Sequence, residues 1–365
     1  MVQNVTHDSG HYGNIVSYLR LKGIVQPSSQ PSRWSRFTAV ALAVAALLLS
    51  HGAHGETPAR RQRPRVVRPP APPPPVLDVP QGTRLLVIAP HPDDEVLGAG
   101  GLMQRVHEGG GAVRVVYLTD GDGYPEGVEA EDHVATPTAQ EYRVYGRLRH
   151  REAGAALVRL GLADAFQTFL GFPDGGLCKL TRVYWSERRA AYRSPYTRLT
   201  RPPRSEILVP STRYRGEDLS QELALIIGDF KPTMIAVPRQ EDQHPDHCAA
   251  WFFLADSLND VRRVHPDFTP DVINYIVHFN AWPFEDDGPA LGPPPGLRGG
   301  VSGWMRLALT PAEARAKRQA LHRYVSQMHV MSWFLDGFAR SNEVFSRPRP
   351  FKVVLPSRRS PCCDQ

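Results

Sequence analysis

The chain has 365 residues, 41% hydrophobic and 22% charged, an ordinary balance for a soluble globular protein with a sizeable core. Its formal charge is +6, but residues 1–80 hold nine Lys or Arg against three Asp or Glu, so of the 43 and 37 in the whole chain thirty-four of each sign remain in 81–365. The folded body is formally neutral, and nothing electrostatic marks it as a nucleic-acid binder. In chain order, Arg33 and Arg36 precede Phe37–Ser50, an uncharged apolar run too short for a comfortable membrane span and suited to the core of a signal peptide. Ala53-His54-Gly55 supplies small residues on either side of a cleavage point before Glu56. Residues 1–55 are thus expected to be a signal peptide or an N-terminal anchor. The protein is then exported in a bacterium, to the periplasm, the exterior or a membrane tether.

Residues 56–81 are rich in Arg and Pro. Proline blocks helix and sheet ladders and favours extended polyproline II, so this stretch reads as a semi-rigid linker. The domain proper is expected over 82–357, with a short tail at 358–365. The four cysteines, Cys178, Cys248, Cys362 and Cys363, show no framework spacing. Export makes a disulfide chemically possible, but no structural disulfide is expected.

Within the domain, short apolar runs alternate with amphipathic stretches. Leu85–Ala89 reads as a strand buried on both faces, followed by a helix over Val96–His107 whose Gly98, Gly100 and Gly101 imply close packing on a sheet. Further strands are expected at Val113–Leu118, Phe166–Leu170, Met234–Val237 and Val272–Phe279. Helices are expected at Gln140–Leu160, Asp218–Phe230, Asp246–Val261 and from Pro311, with Thr310 as cap. Residues 177–215 form a long irregular insertion, of the kind that usually serves function. The pattern predicts an α/β fold, a three-layer α/β/α Rossmann-like domain with a mainly parallel sheet. Function in such sheets sits beyond the strand C-termini, which singles out loops 90–95, 119–124, 171–176 and 239–247.

Two of those loops are dense in metal-binding residue types: His91-Pro92-Asp93-Asp94-Glu95 and His244-Pro245-Asp246-His247. A divalent cation accounts for both, because it offsets carboxylate repulsion and accepts imidazole and carboxylate together. His91 and Asp94, three apart across a strand-to-helix turn, can face one point, and His247 completes a His/Asp/His set. Three protein ligands leave a position for water, the layout of a catalytic zinc. Asp93 can then reach the water as general base, His244 sits on the substrate side, and Asp246 holds the ring of His244. Either loop alone reads equally well as a capped turn, as His265-Pro266-Asp267 does. Two of them, each at a predicted strand end, favour a shared site.

The stretches "APHPDDEVLGAGG" and "PRQEDQHPDH" together resemble the PIG-L/LmbE-like family of zinc-dependent de-N-acetylases. Supporting stretches are Val115–Asp122, Arg149–Glu152, Leu170–Leu177 and Tyr324–Gln327. The resemblance implies zinc on His91, Asp94 and His247, with Fe2+ or another divalent ion not excluded by this ligation. It implies Asp93 as base, His244 supported by Asp246 at the tetrahedral intermediate, and a substrate of small-molecule or oligosaccharide amino-sugar type. Arg149 and Asp174 match sugar-holding positions, and Asp122 and Tyr214 are further candidates for substrate contact. One position departs from the family: Asp242 stands where some members carry a mobile tyrosine, so either the zinc and His244 suffice or a tyrosine such as Tyr214 or Tyr124 enters from another loop. The expected activity is removal of an N-acetyl group from an N-acetylglucosamine-type sugar. A non-sugar amide or antibiotic, an ester, and a non-catalytic carbohydrate-binding role are the alternatives.

Overall fold

The structure, a computed structural model, describes residues 74–162, 167–284, 288–297 and 303–348. The expected signal segment and most of the linker (1–73) and the tail lie outside the described residues, as do Cys362 and Cys363. Among the described residues no helix is long and apolar enough to cross a membrane.

The elements run β1 (Arg84–Ala89), α1 (Asp94–Glu108), β2 (Ala112–Thr119), α2 (Pro125–Asp132), α3 (Ala139–Arg159), β3 (Gln167–Phe172), α4 (Leu177–Leu180), α5 (Gly216–Phe230), β4 (Met234–Pro238), α6 (Pro245–Val264), β5 (Asp271–Tyr275), β6 (Trp304–Ala308), α7 (Pro311–Leu321), α8 (Val325–Gly337) and β7 (Asn342–Ser346). A single seven-stranded sheet has the order β3-β2-β1-β4-β5-β7-β6. The first five strands are parallel and β7 and β6 antiparallel, so the sheet is mainly parallel, as expected. From β1 the chain moves outward to β2 and β3, then returns to place β4 on the other side of β1. That reversal opens a crevice at the C-terminal ends of β1 and β4.

β1 shows why an unbroken apolar run becomes a central strand. Leu85, Val87 and Ala89 enter one core with α1, α3 and α7. Leu86 and Ile88 point the other way, into a core with α5 and α6. All five are fully buried, and each large aliphatic side chain contributes about 1.5–3 kcal/mol by leaving water. Gly98 fulfils the close-packing expectation, since a Cβ there would collide with the ring of Tyr275. Thr310 caps α7 in a capping box with Glu313, and Thr138 does the same for α3 with Glu141.

Three features differ from expectation. Residues 74–81, read as linker, join the folded unit: Leu77 is buried, and its amide pairs with the carbonyl of Arg306 in β6 at 2.8 Å. One buried leucine anchors a segment whose composition still reads as spacer. Strands β6 and β7 and helices α2 and α8 were not anticipated. In β7 the apolar pattern is broken by a buried Glu343, whose carboxylate takes the amides of Gly101 (2.7 Å) and Leu102 (2.9 Å) and the ammonium of Lys317 (2.6 Å). Cys178 and Cys248 are each disulfide-bonded, against the expectation of none.

The Lys317–Glu343 pair is fully enclosed. Lys317→Met should destabilise the fold by about 3–5 kcal/mol, because it strands a buried carboxylate. Chemical denaturation should read this as a lower midpoint with an unchanged slope; an unchanged midpoint would mean the pair contributes nothing.

Candidate metal centre

The β1–α1 turn is built by carboxylates that tie down the backbone. Asp93, the residue before α1, has φ 127°, a region few non-glycine residues enter. Its amide donates to Glu95 Oε2 at 3.1 Å, and Glu95 also accepts from the hydroxyl of Tyr324. Glu95 is therefore structural, and "YVSQ" at 324–327 is one of its supports. The turn brings Asp94 Oδ2 to 3.2 Å from His91 Nδ1 and 2.9 Å from the His91 amide.

Across the crevice, the first turn of α6 delivers His247. Its Nε2 lies 3.1 Å from Asp94 Oδ2 and 3.3 Å from His91 Nδ1. Three lone-pair atoms from two segments thus form a near-equilateral triangle. Metal–ligand bonds of about 2.0–2.1 Å in a tetrahedron place ligand atoms about 3.3–3.4 Å apart, so the residues present fit a divalent cation. Burial opposes charge on all three side chains. It is outweighed at Asp94, which His247 and His91 hold far below the usual carboxylate range, and at His247, which Asp242 and Asp94 push up to about 9. A cation bound here takes the place of that proton. His244 and His278 have ring nitrogens near enough to join His91/His247 and Asp94/His247 respectively.

Both imidazoles are backed by carboxylates on their far nitrogens, as metal-binding histidines require. His247 Nδ1 lies 3.2 Å from Asp242 Oδ2. Asp242 is itself pinned by the amides of Val277 (2.8 Å), His278 (3.1 Å) and His244 (3.0 Å). The departure at Asp242 has a structural reason: its carboxylate holds the His247 ring and three backbone amides. His91 Nε2 stands 3.2 Å from Asp174 Oδ1 and 3.4 Å from Asp246 Oδ2, ion-pair distances without hydrogen-bond alignment.

Several sequence expectations shift in detail. The Asp246 carboxylate does not hold His244. It accepts the amides of Gly175 (2.7 Å) and Leu177 (3.0 Å), while the Asp246 backbone amide donates to His244 Nδ1 at 3.2 Å. Arg149, expected on the sugar, is 4% exposed and turned inward. Its guanidinium reaches Asp93 Oδ2 (3.1 Å) and the carbonyls of Gly121 (3.0 Å) and Pro92. Asp174 divides its oxygens between His91 and the Gly123 amide (2.6 Å). Asp122 is buried beside Asp120, Asp174 and Glu206. Tyr214 is 2% exposed and packs in the α5/α6 core beside Phe172, so it is a core residue. Tyr124, partly buried near Asp93 and Arg149, remains the tyrosine closest in character to the site.

His278 was missed. It follows β5, stacks on Phe334 (5.3 Å) and meets the ring of His247 edge-on (4.8 Å). It stood within the predicted strand Val272–Phe279, where a lone histidine carries no signal.

Fold and site together define a divalent-metal centre at the switch point of a mainly parallel α/β sheet. Residues 86–258 match the PIG-L family profile, described as GlcNAc-PI de-N-acetylase, a span that includes both histidine loops. The family resembled by the two motifs is the family matched. Over 171 residues the chain is 29% identical to a 1D-myo-inositol 2-acetamido-2-deoxy-alpha-D-glucopyranoside deacetylase of Kribbella flavida, covering 46% of this chain and 50% of that one. The chain thus spans about half the length of this curated relative. Among solved structures, a conserved protein of Thermus thermophilus is 23% identical with a TM-score of 0.45, over 76% of this chain and all of the other. The N,N'-diacetylchitobiose deacetylase of Pyrococcus horikoshii is 18% identical with a TM-score of 0.44, over 75% of this chain and 87% of that one.

Proposed function

We propose that the protein is a zinc-dependent hydrolase that removes the N-acetyl group from an N-acetylglucosamine-type amino sugar or its conjugate. The observation that carries the reading is Asp93, a buried carboxylate beside the metal triangle and braced by Arg149, because a site that only holds metal needs no such base. The family match over 86–258 supports the same chemistry.

His91, Asp94 and His247 would hold a divalent cation, which would supply Lewis-acid polarisation of a carbonyl oxygen and a water of lowered pKa. Asp93 accepts the proton of the attacking water, and Arg149 keeps its carboxylate aimed. His244 acts at the other side of the carbonyl. Because its Nδ1 accepts the Asp246 amide, its neutral form carries the proton on Nε2 and can donate to the developing oxyanion. The proton held by Asp93 then passes to the departing amine, giving acetate and a free amino sugar. Asp174 and Asp246 hold His91 in place, and Asp242 holds His247. The insertion at 177–215 lies beside this site through Asp246's bond to the Leu177 amide and shapes the substrate mouth.

Export fits the apolar Phe37–Ser50 run and the disulfide-bonded state of Cys178 and Cys248, which suits an oxidising compartment. Residues 1–60 fused to a reporter should carry it out of the cytoplasm; a reporter retained there contradicts export.

Burial pushes the Asp93 carboxyl up to about 7, Arg149 pulling against it and Asp94 adding to it. The base works deprotonated, so kcat/KM should fall as pH drops through that value. A cation in the triangle lowers the midpoint further, so the acid limb should lie at or below pH 7; a profile flat down to pH 4 would remove Asp93 as the base. The reading itself is tested by incubating the zinc-loaded protein with N-acetylglucosamine conjugates and oligosaccharides. Acetate and free amine should appear in equal amounts, whereas turnover of ester substrates alone would favour an esterase.

A further inference from the structure

A second constellation of metal-binding side chains lies outside this machinery. Asp120 follows β2, His150 is on α3, and Glu206 sits in a single 3-10 turn (Arg204–Glu206) inside the insertion. One ligand atom from each lies within 4.8 Å of the others, and His150 Nε2 is 2.8 Å from Asp120 Oδ1. We propose that Asp120, His150 and Glu206 form a second divalent-cation site that fastens the 177–215 insertion to the end of the sheet.

Three observations carry it. The carboxylates of Asp120 and Glu206 face one another in a partly enclosed space, and two such groups stay together only with a proton or a cation between them. Burial first, then Asp120, pushes the Glu206 carboxyl up to about 9. Glu206 Oε2 is buried and meets the Asp120 carboxylate with no side-chain donor facing it, and Asp122, 8% exposed, faces the same group without a side-chain donor among the described residues. The fold also makes room for this approach. Gly171 at the end of β3 has φ +57°, and a Cβ there would collide with Glu206 Oε2. One imidazole and two carboxylates suit zinc or manganese. The ring of His150 is held by stacking on Phe169 at 3.6 Å, which aims its Nε2 at Asp120. The three donors come from three separate segments, so a bound ion would tie the insertion to β2 and α3.

The test counts metal on the full chain. The protein is stripped with chelator, titrated with Zn2+ and, in parallel, Mn2+, separated from unbound ion and assayed for metal and protein. Wild type should bind two equivalents of Zn2+; Glu206→Gln and His150→Gln should bind one, His247→Ala one, and the His247→Ala/Glu206→Gln double variant none. In the His247→Ala background, saturating Zn2+ should raise Tm, and Glu206→Gln should abolish that rise. Circular dichroism at low temperature confirms that each variant is folded. One equivalent in wild type, or two retained in both Glu206→Gln and His150→Gln, overturns the proposal. These counts are read without substrate, so they stand apart from the deacetylase assignment.

Discussion

Asp93→Ala should lower turnover by about two to four orders of magnitude, the usual contribution of a positioned general base, while metal content stays at the wild-type level. Asp93 does not belong to the triangle. Its carboxylate faces Arg149 at 3.1 Å, and the triangle is closed by Asp94 from the next position. The local fold invests strain in this placement: φ is 127°, and Glu95 takes the Asp93 amide to hold it. Neighbouring carboxylates at a helix start diverge, so in the proposed mechanism one serves the cation and the other the water. Asp93→Asn is the sharper variant, since it keeps the shape and removes the base; it should be nearly as inactive and should lose the acid limb of the pH profile. Acetate release and metal analysis on the same preparation check both halves. Turnover within a few-fold of wild type would assign the base elsewhere.

The second large effect falls on the far side of the crevice. His247→Ala should abolish stoichiometric metal at the triangle, because it removes the one ligand supplied by the first turn of α6. Asp242→Asn should weaken zinc binding by about 10–100-fold, the range for partners that orient a metal-binding histidine. Asp242 is fully buried and serves four groups: His247 Nδ1 and the amides of Val277, His278 and His244. An asparagine offers one acceptor oxygen and presents an NH2 to groups that are themselves donors. Competition with a chromogenic chelator gives the affinities. Unchanged zinc affinity in Asp242→Asn would mean that His247 is held by packing alone.

Much of this was legible because the signals were local. The apolar run before His91 marks a buried parallel strand, and three residues across a strand-to-helix turn can share a ligand point whatever the rest of the fold does. The pairing of the two loops followed from the rule that α/β sites lie beyond strand C-termini, and β1 and β4 prove to be neighbours at the switch point. What the sequence hid depends on contacts between distant positions. Asp242 was visible only as a departure from a family pattern; its bond to His247 needs the β5 backbone at Val277 and His278 to complete it. Asp246 was assigned to the wrong partner because its carboxylate and its amide go to different residues, a division no spacing reveals. Arg149 and Tyr214 carry polar groups suited to a sugar, yet one turns inward to Asp93 and the other packs in a core. β7 escaped detection because its buried Glu343 neutralises Lys317 and accepts the amides of Gly101 and Leu102 just past the kink of α1 at Ala99, a polar residue where an apolar one was expected.

The most direct test of the central claim is metal removal and return. Protein stripped by a chelator should release no acetate from an N-acetylglucosamine conjugate, and stoichiometric Zn2+ should restore release in wild type but not in Asp93→Ala. Undiminished acetate release from the metal-free protein would contradict a metal-centred de-N-acetylase.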